Sequence, residues 1–297
     1  MPDEIIQAAK IGDFVLFVGA GISRLLGLPL WKDMAQKQLE QLVQEGILNY
    51  SEFNQLSSLD PKKQISIAHQ LAKDNQVKLD PTVGLTEHSE ADNIYKSIND
   101  IGCVCVTTNY DTLLNPRYAN TKDGSKKTEK DNRYFRDRDF RAKHLNNPGT
   151  VVHLHGCVRE PKTMILTTQR YLKHYDNDYV KDFLGELFEK KTVLFIGYGL
   201  EEAEILEHML RRGGVSGSKE RKRFVLQGYY LSQKPLYENL YKYYKQSFGV
   251  HVLGFIRDYR DYKQQEQIIR DWGPSIIVKQ SSLVKDIDRI REVLGSG

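Results

Sequence analysis

Six short apolar runs punctuate the chain, and stretches with helical periodicity separate most of them. The runs are Asp13–Val18 (DFVLFV), Cys103–Thr107 (CVCVT), Thr150–Leu154 (TVVHL), Thr192–Ile196 (TVLFI), Arg223–Leu226 (RFVL) and Val250–Leu253 (VHVL). β-Branched and aromatic residues dominate them, and the apolar positions are continuous rather than alternating. Strands buried on both faces of a parallel sheet read this way. Helices are predicted over Trp31–Gly46, Pro61–Asp74, Glu90–Asp100, Tyr179–Lys190, Glu201–Arg212 and Pro235–Phe248. Alternating strand and helix predicts an α/β fold, a doubly wound parallel sheet of about six strands.

Two intervals exceed what a minimal fold of this kind needs. Between the first and second runs the pattern is helical, and a helical insertion lobe is expected over about 31–100. Between the second and third runs there is little pattern, and a long basic loop is expected over about 115–148. Both belong to one domain, 1–275. Ser281–Leu294 places Leu283, Ile287, Ile290 and Leu294 on one helical face, so 276–297 is predicted as a C-terminal amphipathic helix and tail.

Composition narrows the class. Hydrophobic residues make up 40% and charged residues 28%, which excludes collagen-like, disordered and disulfide-scaffold chains. Three cysteines exclude an internal four-cysteine zinc site and suggest a reducing compartment. The longest strongly apolar run, Phe14–Val18, falls far short of the roughly 20 residues that span a bilayer. The start, MPDEIIQAAK, lacks the basic and apolar regions of a secretory signal. A cytoplasmic location is the expectation.

The net charge is +4, and Lys122–Lys143 holds the whole surplus, with nine Lys or Arg against five Asp or Glu. Lys219–Arg223 (KERKR) adds a second basic knot. Two readings stand: solvated loops, or a basic patch facing a dinucleotide, a nucleic acid or an acidic protein. Tyr134, Phe135 and Phe140 interleave with the arginines, as stacking platforms for bases do.

Candidate chemistry lies at the ends of the runs, because ligands of open α/β sheets bind at the carboxyl edge. The first run ends in Gly19-Ala20-Gly21-Ile22-Ser23, a turn that lets backbone approach a pyrophosphate. Position 24 is Arg, so the full six-position glycine fingerprint is incomplete. The residues that follow are helical and supply no second strand with a ribose-binding acid, which disfavours an ordinary NAD dehydrogenase. The second run ends Thr107-Thr108-Asn109-Tyr110-Asp111, the third His153-Leu154-His155-Gly156 and the fourth Gly197-Tyr198-Gly199-Leu200-Glu201-Glu202. Each has a bland reading: Asn109 and Asp111 as turn caps, the histidines as core residues on one strand face, the glycines as turn formers. The histidines also suit a metal, but no further ligand set of recognisable spacing accompanies them. Taken together at one edge, the four ends favour a binding site.

The four motifs GAGIS (Gly19–Ser23), TTNYD (Thr107–Asp111), HLHG (His153–Gly156) and FIGYGLEEAE (Phe195–Glu204) resemble, in order and spacing, those of the sirtuin fold. The version is similar to the bacterial sirtuin-like NADases of antiphage defence, over roughly residues 10–260. The resemblance implies a Rossmann-like fold and NAD+ as substrate. It implies that Gly19, Ala20, Gly21 and Ser23 line the pyrophosphate. Asn109 would hold the nicotinamide ribose and a water, and Asp111 would sit by the carboxamide. His155 would be the active-site histidine and His153 structural. Gly197 and Gly199 would approach the adenosine half and Glu202 a ribose hydroxyl, with Thr108 and Tyr198 completing the cofactor-binding set.

Departures from the deacylase pattern accompany the match. Gly27-Leu28-Pro29-Leu30-Trp31-Lys32 stands where deacylases carry proline-aspartate-phenylalanine-arginine, and the paired cysteines of their zinc module are missing. The expectation is therefore NAD+ hydrolysis to nicotinamide and ADP-ribose, with no zinc. The alternatives are an NAD or ADP-ribose sensor without turnover, an ADP-ribosyltransferase or cyclase, or a deacylase. The resemblance also implies a homo-oligomer, gated by self-association or by a ring ATPase, a phage-sensing partner or a fused module. Membrane association and direct nucleic-acid binding are not expected.

Overall fold

The computed structural model describes residues 1–85, 93–116, 132–200, 202–213 and 222–278, with no side-chain description over 211–213. Helix α1 (Asp3–Ile11) leads into strand β1 (Phe14–Val18) and the short helix α2 (Ala20–Arg24). Helices α3 (Trp31–Gln44), α4 (Tyr50–Ser57), α5 (Pro61–Asp74) and α6 (Ile94–Ile101) precede β2 (Val104–Thr107). Next come β3 (Arg133–Tyr134), β4 (Val151–His153), α7 (Thr168–Asp176), α8 (Asp178–Lys190) and β5 (Thr192–Ile196). Then follow α9 (Ala203–Gly213), β6 (Arg223–Tyr229), α10 (Lys234–Phe248), β7 (Val250–Ile256) and α11 (Lys263–Trp272).

The strands form one parallel sheet in the order β3-β4-β2-β1-β5-β6-β7, the doubly wound α/β architecture that the apolar runs predict. Among the described residues it has seven strands, against the expected six or so. The additional strand, β3, is two residues long and begins with an arginine, so it carries no apolar signal. Val18 pairs with both Thr107 and Ile196, and Thr107 with His153, so the ends of β1, β2, β4 and β5 are level at one edge.

The continuous apolar strands are explained by cover on both faces. Val15, Phe17, Val106, Val152 and Phe195 point to one face, where Phe183, Leu187 and Phe188 of α8 and Ile205 of α9 cover them. Phe14, Leu16, Val18, Cys105 and Ile196 point to the other, beneath Ile5 of α1, Ile98 of α6 and Ile269 of α11. Burying one such side chain stabilises the fold by about 1.5–3 kcal/mol relative to exposing it, so this two-sided packing is where the sheet's stability resides.

The insertion carries α3, α4 and α5, which bury Leu39, Leu42, Leu48, Ala68 and Ala72 in a small core of their own. A second cluster, Met34, Ala35, Ile65, Tyr110 and Met164, joins this lobe to the carboxyl edge of the sheet. Helix α6, which falls within the expected insertion, packs on the sheet itself.

The basic interval is ordered where it is described. Beyond β3 it forms 3-10 turns at Asp137–Asp139 and Ala142–Asn146. Phe140 is buried in the core and Tyr134 stacks on His144 at 3.7 Å, so these two aromatics serve packing. Arg136 pairs with Glu160. Residues 122–131 of the basic run, 219–221 of the second knot and the Ser281–Leu294 helix lie outside the described residues.

Candidate active site

Two turns meet at the carboxyl edge. The Gly19 N–H donates to Ile196 O at 2.9 Å, and the Gly21 N–H to Gly197 O at 2.8 Å. A Cβ on Gly19 would lie 2.5 Å from Gly197 O, and one on Gly197 would lie 2.5 Å from Ile22 N. Gly197 also has φ +59°, a left-handed conformation that favours glycine. These glycines are needed for the turns to touch each other. Leu200 holds φ +54° while buried, so the turn after β5 carries backbone strain.

Beside this junction opens a cavity of about 600 Å³, within the range of small-molecule sites. Ala20, Gly21, Ser23, Thr108, Asn109, Asp111, His155, Gly197, Tyr198, Gly199 and Glu202 line it, and Gly19 sits behind the wall. The sequence expectations thus converge on one space. Residues 28–32, Met34, Asp60, Pro61 and Lys62 of the lobe supply the facing wall, which the strand ends did not reveal. Asp60 caps α5 by accepting from Lys62 N at 2.9 Å, and Pro61 needs no donor there, so the helix start fixes Lys62 at the cavity. A more open depression of about 820 Å³ lies beyond β7, away from the motifs. Several of its charges pair with one another, as Arg257 does with Asp261 and Arg270 with Glu266.

One half of the cavity floor centres on Asn109. Its Nδ2 donates to Ser23 Oγ at 2.8 Å and to Gly19 O at 3.2 Å. Ser23 Oγ donates to Asp111 Oδ2 at 2.7 Å. A serine has one proton to give, so Tyr95 on α6 donates to Ser23 Oγ across 2.7 Å. Asp111 Oδ1 accepts from Leu113 N at 3.1 Å. Burial pushes the Asp111 carboxyl upward, and the Ser23 hydrogen bond works against that shift. The Oδ1 of Asn109 is buried without a partner among the described residues.

His153 braces this half from behind. It is 0% exposed. Arg133 Nη1 donates to Nε2 at 2.6 Å, which leaves the ring proton on Nδ1 to donate to Asn109 O at 2.8 Å. Arg133 Nη2 also donates to Leu114 O at 2.6 Å. Burial first, and Arg133 second, push His153 down to about 3. The residue therefore stays neutral and holds the Asn109 loop.

The other half centres on His155. Strand β4 ends at His153, so alternation does not continue to His155, which turns toward α7. Its Nε2 lies 2.8 Å from Tyr175 Oη, and its Nδ1 lies 3.2 Å from Tyr171 Oη. Tyr175 Oη donates to Glu202 Oε2 at 3.3 Å. With that proton committed, Tyr175 accepts from an Nε2–H, and Tyr171 donates to Nδ1. Burial, then the neighbouring His174 and Lys62, push His155 well down and keep it neutral. Burial pushes Glu202 up to about 7, with Lys62 opposing and Glu204 reinforcing the shift. Lys62 pairs with Glu204 at 3.1 Å and lies 4.0 Å above the Tyr171 ring.

Tyr171, Tyr175 and Lys62 are functional neighbours that the motif reading did not contain. The one signal available was the i, i+4 spacing of the two tyrosines in TQRYLKHYD.

Among the described residues, no group of three or more His, Cys, Asp or Glu is placed to hold a metal ion. No described helix is long and apolar enough to cross a membrane. The profile of the SIR2-like domain family matches residues 104–251, which contain the Asn109, His155 and Glu202 motifs. The chain is 27% identical over 212 residues to "Defense-associated sirtuin 2" of Bacillus subtilis, covering 68% of this chain and 19% of that protein. The aligned part is thus about a fifth of that curated relative's length.

Proposed function

This chain belongs to the SIR2-like family, and from that premise we propose that it hydrolyses NAD+ to nicotinamide and ADP-ribose as an effector of antiphage defence. The observation that carries the reading is Asn109: a buried amide at the cavity, locked by its own donors, with its acceptor oxygen unpartnered. A ribose hydroxyl or a water is the donor such an oxygen suits.

Cleavage of the nicotinamide–ribose bond passes through an oxocarbenium-like state. Nicotinamide leaves as a neutral group, so the site needs no acid for it. It needs to hold the ribose, direct a water and take a proton. Asn109 Oδ1 orients the ribose or the water. The neutral His155 imidazole is the base, and Ser23 and Asp111 hold Asn109 in place. The turns after β1 and β5 form the wall against which the dinucleotide lies.

The name of the curated relative supports the defence role. NAD+ loss harms the cell that makes the enzyme, so gating by self-association, by a ring ATPase or phage-sensing partner, or by a fused module belongs to the same proposal, in the cytoplasm. A second reading, NAD or ADP-ribose binding without turnover, is favoured by one observation: both His155 nitrogens are engaged by tyrosines.

The test is incubation of the purified chain with NAD+, with product identification and a native mass measurement. Nicotinamide and ADP-ribose in equal amounts, lost in Asn109→Ala and His155→Ala, are expected. NAD+ consumption that persists in both variants overturns the mechanism. Tight binding without nicotinamide release favours the sensor. A cyclic product or a modified protein identifies a cyclase or transferase, and release from an acetyl-lysine peptide a deacylase.

A further inference from the structure

The two tyrosines around His155 come from one helix face, Tyr171 and Tyr175 on successive turns of α7. They are not equivalent. Tyr171 ends the chain of hydrogen bonds at Nδ1, whereas Tyr175 continues it from Nε2 to the Glu202 carboxylate. Glu202 Oε2 also lies 3.6 Å from Nε2 itself. His155 is 1% exposed, whereas the Glu202 side chain is 17% exposed and lines the cavity. A proton leaving the imidazole by this route therefore reaches a group that water can relieve of it.

We propose that Tyr175 and Glu202 are positioning residues for His155, a hydrogen-bonded relay that keeps the ring proton on Nε2 and draws it toward Glu202 when His155 accepts a proton at Nδ1. The proposal rests on the NAD-cleaving reading of the cavity. The step balances without an added reactant. Tyr171 yields Nδ1 to the proton coming from the water or ribose hydroxyl, and an N–H bond forms there. The Nε2–H bond breaks toward Tyr175 Oη. The Tyr175 O–H bond breaks as Glu202 Oε2 gains a proton. The imidazole ends neutral with its proton on Nδ1, one proton has moved to Glu202, and no atom changes oxidation state. Glu202 then loses that proton to water, and the Nε2–H form returns when Nδ1 gives up its proton toward the cavity and Nε2 regains one from water through Glu202 and Tyr175.

Glu202 is suited to this part because its proton affinity is set near neutrality. The groups that face it come from every surrounding element: Lys62 of α5, Tyr110 after β2, His155 after β4, Tyr175 of α7, Tyr198 after β5 and Glu204 of α9. Lys62 favours the carboxylate and Glu204 the acid, so neither state is locked.

The experiment has two arms. In the first, nitrogen NMR of histidine-labelled protein reads the His155 tautomer, assigned by subtraction with His155→Asn. The wild type is expected to show the Nε2–H form, and Tyr175→Phe a mixture with Nδ1–H. An unchanged tautomer in Tyr175→Phe overturns the relay, and this arm stands whether or not the chain cleaves NAD+. In the second, the pH profile of nicotinamide release is compared. The wild-type rate is expected to rise with pH through about 7, as Glu202 ionises. Glu202→Gln, nearly isosteric, is expected to lose that limb and to lower kcat about tenfold with KM changed less than about twofold. Glu202→Gln/Tyr175→Phe is expected to be no slower than the slower single variant. Additive losses, or a limb that survives in Glu202→Gln, overturn it.

Discussion

The two halves of the cavity floor lie at the same edge of the sheet and behave as opposites. Around Asn109 the partners are main-chain groups and a serine that is itself held by Asp111 and Tyr95, with His153 fixed behind by the permanent cation of Arg133. Around His155 the partners are hydroxyls that both give and accept, next to a carboxyl that titrates near 7. His153 and His155 state the contrast in miniature. Both are buried and neutral, two positions apart. Arg133 occupies the acceptor nitrogen of His153, so that ring cannot act as a base. Tyr171 occupies the acceptor nitrogen of His155 and can turn away. The first half suits holding a sugar in one pose, and the second suits moving a proton.

Removing either centre should have the largest effect. Asn109→Ala and His155→Ala are each expected to lower NAD+ cleavage by at least about a hundredfold, with the circular dichroism spectrum kept. Equal losses with opposite signatures would sharpen the contrast: a raised KM for Asn109→Ala and a lowered kcat for His155→Ala.

Next comes the junction that both halves share. Gly19→Ala puts a Cβ against the Gly197 carbonyl and the Tyr198 main chain. Neither is the end of a flexible side chain, so a loss of about 2 kcal/mol or more in urea unfolding is expected, with both halves disturbed.

The third prediction concerns acid stability. The folded value of His153 is depressed to about 3 from 6.5. Below pH 6.5 the unfolded chain takes up a proton that the folded chain refuses. Stability therefore falls as pH falls from about 6.5 toward 3, by up to about 1.4 kcal/mol per pH unit for this group. Arg133→Met removes the cation that helps depress it, so the stability lost across this acid range should be smaller in the variant. An identical loss would break the comparison.

The smallest effect is expected at Lys62, whose pair with Glu204 is partly exposed. Lys62→Met should change stability by less than about 1 kcal/mol. Losing a cation that favours the Glu202 carboxylate should also move the pH limb of NAD+ cleavage to higher pH.

The sheet was legible because its strands are apolar throughout, and Val18, Thr107, His153 and Ile196 end level as a parallel register requires. The cavity was legible for the same reason: in such a sheet, polar residues just beyond apolar runs share one edge. Several elements escaped, α4 and α11 among them, and two others bear on the site. The Arg133–Tyr134 strand exists through pairing with β4, which local sequence does not encode. Helix α7 buries Tyr171, His174 and Tyr175, a face that carries polar atoms and does not read as an apolar stripe. That missed face holds the partners of His155, so the residue was found and its chemistry was not.

The glycine junction has an evolutionary consequence. Gly19, Gly21 and Gly197 lack side chains at a single crossing of two turns. A lineage that replaced one of them would have to separate the turns, and the other two would then be released from the same restriction. The three positions should be inherited or lost as a set, and a descendant that kept Asn109 and His155 but had lost the set would signal a binding wall rebuilt for another ligand.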